Sequence, residues 1–232
     1  MKNAIITGSS KGLGRAIAEK LSAEGYRVWL TARNASALKA AKEAIEAKTG
    51  SPVEIDTIDL ADHDQTTRYA KSILERCEHV DVLVNNAGIF VPDQLHRGKT
   101  TLTSQMNLNF YAAHTITQAL MQKFMDQKSG HIFNICSAVT RKPRAEAASY
   151  TISKFALLGY HKVLHQTLLP LNIKVTAFFP GSINTSSWDG MNVPRNEFIQ
   201  PEDIAEMLSG ILKLKSGTVP SEIDLTAINP DY

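Results

Sequence analysis

Cysteine is scarce in this chain. Its 232 residues hold two, Cys77 and Cys136, with no metal-type spacing between them. That count excludes a disulfide-stapled scaffold and a cysteine-based zinc site. Cys136 lies in an apolar, strand-like run, which favours a buried free thiol and a reducing compartment. Long apolar runs are also missing. No window approaches the ~18 consecutive apolar residues of a membrane-spanning helix, so no membrane partner is expected. The apolar run before the first glycines is too short for a signal peptide, and a cytoplasmic location is expected. Nor is one sign of charge in excess. Twenty-five Lys and Arg face 23 Asp and Glu, a net +2, which gives no general case for nucleic-acid binding. Repeats, low-complexity tracts and linkers are absent, so residues 1–232 are read as a single domain.

What is present is an alternation of strand and helix. Short apolar runs at Asn3–Thr7, Arg27–Thr31, Val53–Ile58, Val80–Asn85, His131–Cys136, Lys174–Phe179 and Glu222–Thr226 have strand character. Helical periodicity separates most of them. Leu13, Ile17 and Leu21 mark the first helix, with Gly25 at its end. Ala37–Lys48, Gln65–Cys77, Leu102–Lys128, Ser149–Leu169 and Glu202–Lys213 follow. Apolar strands joined through helices predict an α/β fold, a doubly wound parallel sheet with ligands at the carboxyl ends of its strands. The segment 182–200 alone lacks regular pattern, and a loop of that length is often a substrate lid.

Directly after the first strand, Thr7-Gly8-Ser9-Ser10-Lys11-Gly12-Leu13-Gly14 opens a helix. Glycine lets backbone approach a pyrophosphate closely, and a helix N-terminus supplies N–H groups and partial positive charge. The spacing is G-x-x-x-G-x-G rather than the common G-x-G-x-x-G. The second strand ends in Thr31-Ala32-Arg33-Asn34, where an acidic residue would select the 2′-hydroxyl of NAD. None is there. Arg33 and Lys11 can instead meet a 2′-phosphate through charge-assisted hydrogen bonds, so NADP(H) is the expected cofactor.

Tyr150 and Lys154 stand four residues apart in a helical stretch, on one face and one turn from each other. A phenol ordinarily has a pKa of about 10. An ammonium one turn away favours the phenolate, so this spacing can make a tyrosine that exchanges protons near neutral pH.

With these motifs in order along nearly the whole length, the chain resembles the short-chain dehydrogenase/reductase family, of its roughly 250-residue type. The resemblance rests on Thr7–Gly14, Asp59-Leu60, Asn85-Asn86-Ala87-Gly88, Asn109, Ser137, Tyr150 with Lys154, and Pro180-Gly181 followed by Thr185. It implies a Rossmann-like domain that interconverts a carbonyl and an alcohol by hydride transfer. Tyr150 would be the general acid/base and Ser137 would hydrogen-bond the substrate oxygen. Lys154 would tune Tyr150 and hold the nicotinamide ribose, and Asn109 would hold a water in a proton relay. Gly8, Ser10, Lys11, Gly12, Leu13 and Gly14 would bind the phosphates, with Arg33 at the 2′ position. Asp59 and Leu60 would meet the adenine, and Asn86, Ala87 and Gly88 would pack the adenosine side. Pro180, Gly181, Ile183 and Thr185 would border the nicotinamide. No metal is implied. The family also commonly forms homodimers or homotetramers through helices equivalent to Leu102–Lys128 and Ser149–Leu169, for which Phe155, Leu158, Leu164 and Leu168 are candidates.

The chain departs from similar sequences in two places. Ser137 is followed by a turn with three bases, Arg141, Lys142 and Arg144, which could draw an anionic substrate or acidic carrier or could simply be solvated. The C-terminus, Glu222–Tyr232, lacks the Gly-Gly ending of many ketoacyl-carrier-protein reductases. A small-molecule carbonyl or alcohol is therefore the expected substrate, with 3-oxoacyl-(acyl-carrier-protein) reductase as the enzymatic alternative. A silent NADP-sensing protein is the alternative of another class. Trp188, Met191 and Phe198 are candidates for an apolar substrate lining.

Overall fold

The computed structural model describes residues 1–98 and 100–228. Among these, one sheet holds β1 (Asn3–Thr7), β2 (Arg27–Ala32), β3 (Val53–Thr57), β4 (Val82–Asn85), β5 (His131–Ile135), β6 (Lys174–Pro180) and β7 (Glu222–Leu225). Every pairing is parallel, in the order β3-β2-β1-β4-β5-β6-β7. The chain winds outward from β1 to β3, then returns to β4 beside β1 and winds the other way. The loops after β1 and β4 thus diverge, which opens a crevice at the carboxyl ends of those strands.

Both faces of the sheet are covered, which is why its strands are nearly all apolar. Alternation within β1 shows the division. Ile6 packs with Ile17 and Leu21 of α1 (Gly12–Ala23), Leu38 and Ile45 of α2 (Ala35–Thr49), and Ile204 and Leu208 of α7 (Pro201–Leu212). Its neighbour Ile5 faces the other layer. There it joins Ile73 of α3 (His63–Arg76), Leu120 and Phe124 of α5 (Ala112–Gln127), and Leu164 and Leu168 of α6 (Ala148–Leu168). Asn34 and Asp62 cap α2 and α3 by accepting the Ala37 and Gln65 N–H groups at 2.9 and 3.0 Å.

One expected helix is interrupted. Leu102–Lys128 divides into α4 (Leu102–Met106), a π-helical turn at Asn107–Tyr111, and α5. An inserted residue of this kind leaves apolar periodicity intact on either side, so the sequence pattern hides it. It re-aims the side chains within the turn, among them Asn109, and such turns concentrate at functional sites.

Leu158, Leu164 and Leu168 are buried within their own chain and are core residues rather than candidates for a subunit contact. Phe155 is 43% exposed, with Tyr111, Ile152 and Val163 also on the surface. Cys77 and Cys136 are buried and unpaired. Among the described residues no helix is long and apolar enough to cross a membrane, and no cluster of His, Cys, Asp or Glu could hold a metal. The last four residues of the C-terminal segment, 229–232, lie outside the described residues.

Candidate active site

The glycine loop and the loop after β4 are locked to each other. The Asn86 amide donates to the carbonyls of Thr7 and Gly8 at 2.8 and 3.1 Å. The Thr7 hydroxyl accepts the N–H groups of Asn86 and Ala87, each at 2.9 Å. These contacts leave no room for side chains. A Cβ on Gly14 would sit 2.5 Å from both the Asn86 amide and the Gly8 carbonyl oxygen. Gly8 has φ +65°, and its Cβ would lie 2.9 Å from the Ala87 backbone. The first turn of α1 has no side-chain cap and no acidic residue. Its orphan N–H groups therefore suit an anion, and the glycine cradle fits the pyrophosphate of a dinucleotide.

An open cleft runs from this loop across the sheet edge. Gly8, Lys11, Gly12, Leu13, Gly14, Asn86, Ala87 and Gly88 line it. So do Ser137, Tyr150, Lys154, Pro180, Gly181, Ile183 and Thr185, with Thr185 beside Gly12 and Lys154 beside Gly88. These residues come from five segments far apart in sequence. Ser10, Arg33, Asp59, Leu60 and Asn109 are not among its lining residues. Arg33 is exposed just past β2, and Asp59 follows the adjacent β3, so both stand at the strand ends where an adenosine would lie. Leu60 turns its side chain into the core beside Tyr69, and its carbonyl accepts the Thr66 hydroxyl at 3.1 Å. Its side chain is therefore a packing group.

Around Tyr150 each polar group keeps unused capacity. The Lys154 ammonium, 4% exposed, donates to the Ile135 carbonyl at 2.8 Å. That fixes its place and leaves two donors. It lies 5.7 Å from the centroid of the Tyr150 ring. The Ser137 oxygen accepts the Val139 N–H at 3.3 Å, so its hydroxyl proton remains to be donated. Asn109, 1% exposed, accepts the Ile89 N–H at 2.7 Å. It donates to the Ile89 carbonyl at 3.0 Å and to Ser153 at 2.9 Å. Asn109 sits behind the cleft wall, and a Cβ on Gly88 would fall 3.2 Å from its oxygen and 3.6 Å from the Lys154 nitrogen. Glycine at 88 thus keeps those two groups close.

Asp93, Gln105 and Phe90 also belong to this region, though nothing in the motifs above points to them. Helix α6, which carries Tyr150 and Lys154, has no capping side chain of its own. Asp93 supplies one from the loop after β4, accepting the Ser149 N–H at 2.9 Å together with the Ser149 hydroxyl. The Ser149 hydroxyl and N–H, aided by Thr101, hold the Asp93 carboxyl well below the usual carboxylate range. Phe90 meets the Tyr150 ring edge-on, with centroids 5.2 Å apart. A signal for part of this exists in the spacing of Thr101, Gln105 and Asn109, three polar side chains at successive turns of a helix.

The three-base turn is mostly neutralised. Arg141 pairs with Glu222 and Asp224 of β7 and lies 3.8 Å from the centroid of the Phe179 ring. Arg144 pairs with Glu146. In the segment 182–200, Trp188 packs on Phe198 at 5.0 Å between ring centroids. Neither these two nor Met191 lines the cleft; Ser186 and Ser187 do.

Comparison with known proteins defines the family. The family model for short chain dehydrogenase matches residues 2–195. The 3-oxoacyl-[acyl-carrier-protein] reductase of Aquifex aeolicus is 30% identical over 219 residues, covering 89% of this chain and 88% of its own length. The sepiapterin reductase of Chlorobaculum tepidum is 31% identical over 241 residues, covering 98% and 96%. A solved metagenomic short-chain oxidoreductase in complex with NADP has a TM-score of 0.84 and 31% identity, covering 97% of each chain. The chain belongs to the short-chain dehydrogenase family and is an oxidoreductase.

Proposed function

We propose that this enzyme uses NADP(H) to interconvert a carbonyl and an alcohol, with Tyr150 as general acid/base. The observation that carries this reading is the convergence of Ser137, Tyr150 and Lys154 on the cleft that the glycine cradle also lines. When bound, the nicotinamide supplies or accepts the hydride. The chain's own residues supply the rest. Ser137 donates its free hydroxyl proton to the substrate oxygen and so orients the carbonyl. Tyr150 donates the proton that the oxygen needs as negative charge develops, and two hydroxyl donors aimed at one oxygen stabilise that charge. Lys154, pinned by the Ile135 carbonyl, presents its remaining protons to Tyr150 and to a ribose hydroxyl. Asn109 fixes the Ile89 backbone beside them and keeps a spare lone pair on its oxygen for a relay water.

NADP(H) rather than NAD(H) is supported by Lys11 in the cleft lining and by exposed Arg33 after β2, where no carboxylate stands. The NADP complex of the metagenomic relative supports the same choice. A small carbonyl compound is preferred over a carrier-borne acyl group, because an acidic carrier needs free bases at the mouth. Arg141 and Arg144 are held by carboxylates, which leaves Lys142 as the one base of that turn without such a partner among the described residues. Assembly as a dimer or tetramer is supported by the exposed apolar side chains of Tyr111, Ile152, Phe155 and Val163. The test is a panel of carbonyl compounds with NADPH, followed by loss of NADPH absorbance. Binding of NADPH without oxidation by any member would favour a cofactor sensor instead.

A further inference from the structure

The segment from Ile89 to Asp93 is held chiefly by side chains, with one isolated backbone bridge from Asp93 to Ala147. Asn109 takes both the N–H and the carbonyl of Ile89, at 2.7 and 3.0 Å. Gln105 takes both the N–H and the carbonyl of Val91, at 3.3 and 2.9 Å. The Thr101 N–H and hydroxyl both bond the Asp93 carboxylate, at 3.0 and 2.8 Å. Residues 101, 105 and 109 therefore meet 93, 91 and 89 in reverse order. A side-chain amide can present its acceptor and one of its two donors as a backbone unit does, so this is an antiparallel ladder made from one face of a helix. Gln105 is fully buried and also donates to Thr101 at 2.7 Å, and Asp93 continues to Ser149.

Ile89 and Phe90 both line the cleft, and Phe90 is the aromatic one of the two. Its ring lines the cavity, is 48% exposed, and stands edge-on to Tyr150 at 75°. Its backbone is fixed on both sides by the ladder, so this phenyl is a wall and not the tip of a mobile loop.

Charge in the cleft is as informative. Among the described residues lining the cleft, only Lys11 and Lys154 are charged. Lys11 belongs to the phosphate loop, and Lys154 is turned to the Ile135 carbonyl behind Tyr150. The arginines nearest Ser137 in sequence are paired with carboxylates. A carboxylate or phosphate on the substrate would lose water here without gaining a counter-charge.

Resting on the oxidoreductase reading above, we propose that Phe90 is a specificity-determining residue and that the substrate is an uncharged carbonyl compound carrying an apolar, preferably aryl, group beside its C=O. That group lies against the Phe90 ring while the carbonyl oxygen meets Ser137 and Tyr150. The experiment compares an aryl ketone, a small aliphatic aldehyde, and an aryl α-keto acid with its methyl ester. Each is measured with NADPH on the parent enzyme, Phe90→Ala and Phe90→Leu. NADPH affinity and melting temperature of the variants report folding. The ester should exceed its acid in kcat/KM by at least about tenfold. Phe90→Ala should lower the ratio of kcat/KM for aryl ketone over aldehyde by about tenfold, mainly through KM, with Phe90→Leu between. Preference for the acid, or an unchanged ratio in both variants, would overturn the proposal while leaving the oxidoreductase reading standing. Absence of turnover across the whole panel would overturn the reading beneath it and the proposal together.

Discussion

Mild acid should destabilise this protein through two buried histidines, one in the sheet and one on a helix packed against it. His131 on β5 is 4% exposed and His161 on α6 is fully buried. The His131 ring stacks on Phe133 with centroids 4.0 Å apart, and its Nε2 lies 2.8 Å from the Thr176 oxygen. The Thr176 hydroxyl already donates to the Pro220 carbonyl at 2.7 Å, so it accepts from a neutral His131. Burial, reinforced by Lys174, pushes His131 down to about 3. Burial pushes His161 down to about 4 against the opposing pull of Glu222. Both values lie below the ordinary 6.5 of the unfolded chain. The sign follows. Above pH 6.5 neither state binds these protons and stability is intact. As the pH falls through that value the unfolded chain takes up two protons that the native state refuses. Each costs about 1.36 kcal/mol per pH unit, so pH 5 removes about 2 kcal/mol per histidine relative to pH 7. Together that is about 4 kcal/mol of a total typically near 5–15. Carboxylates held low in the native state, such as Asp93, add their loss only at lower pH. Urea unfolding at pH 7 and pH 5 at constant ionic strength measures the loss, and His161→Leu should halve it whatever that variant's stability at pH 7. Equal losses in variant and parent, or a stability flat between the two pH values, would refute the reasoning.

Two further outcomes follow from the site and the surface. Ala32→Asp with Arg33→Leu should reverse an expected preference of about 30- to 150-fold for NADPH over NADH, because a carboxylate accepts the 2′-hydroxyl and repels the phosphate. Titration of both cofactors checks this, and undiminished NADPH affinity in the double variant would contradict it. Replacing exposed Tyr111 and Phe155 with Ser and Lys should convert an oligomer to a monomer in sedimentation. A parent enzyme that is already a fully active monomer would end that expectation.

The alternation of strands and helices was legible because each apolar run had to serve a sheet buried on both faces, as Ile5 and Ile6 illustrate. The cleft was legible for the same reason, since the glycines, Asn86, Ser137 and Gly181 all follow strands that end on one edge. What escaped the sequence depended on contacts between distant segments. The ladder from Thr101, Gln105 and Asn109 exists only because a π turn aims Asn109 at a backbone some twenty residues earlier. Asp93 caps a helix more than fifty residues away, beyond any local capping pattern. Leu158, Leu164 and Leu168 had the spacing of an interface but are used by the chain's own core. Trp188 and Phe198 could be read as a pocket lining, yet they satisfy each other.

The central claim is that Tyr150 delivers the proton at a carbonyl held beside the glycine cradle. Tyr150→Phe keeps the ring that packs edge-on against Phe90 and removes only the hydroxyl. NADPH binding and single-turnover reduction should be measured on the parent and this variant with the best substrate of the panel. The account predicts unchanged NADPH affinity with reduction slowed by about 10²–10⁴. Reduction within about tenfold of the parent would contradict it.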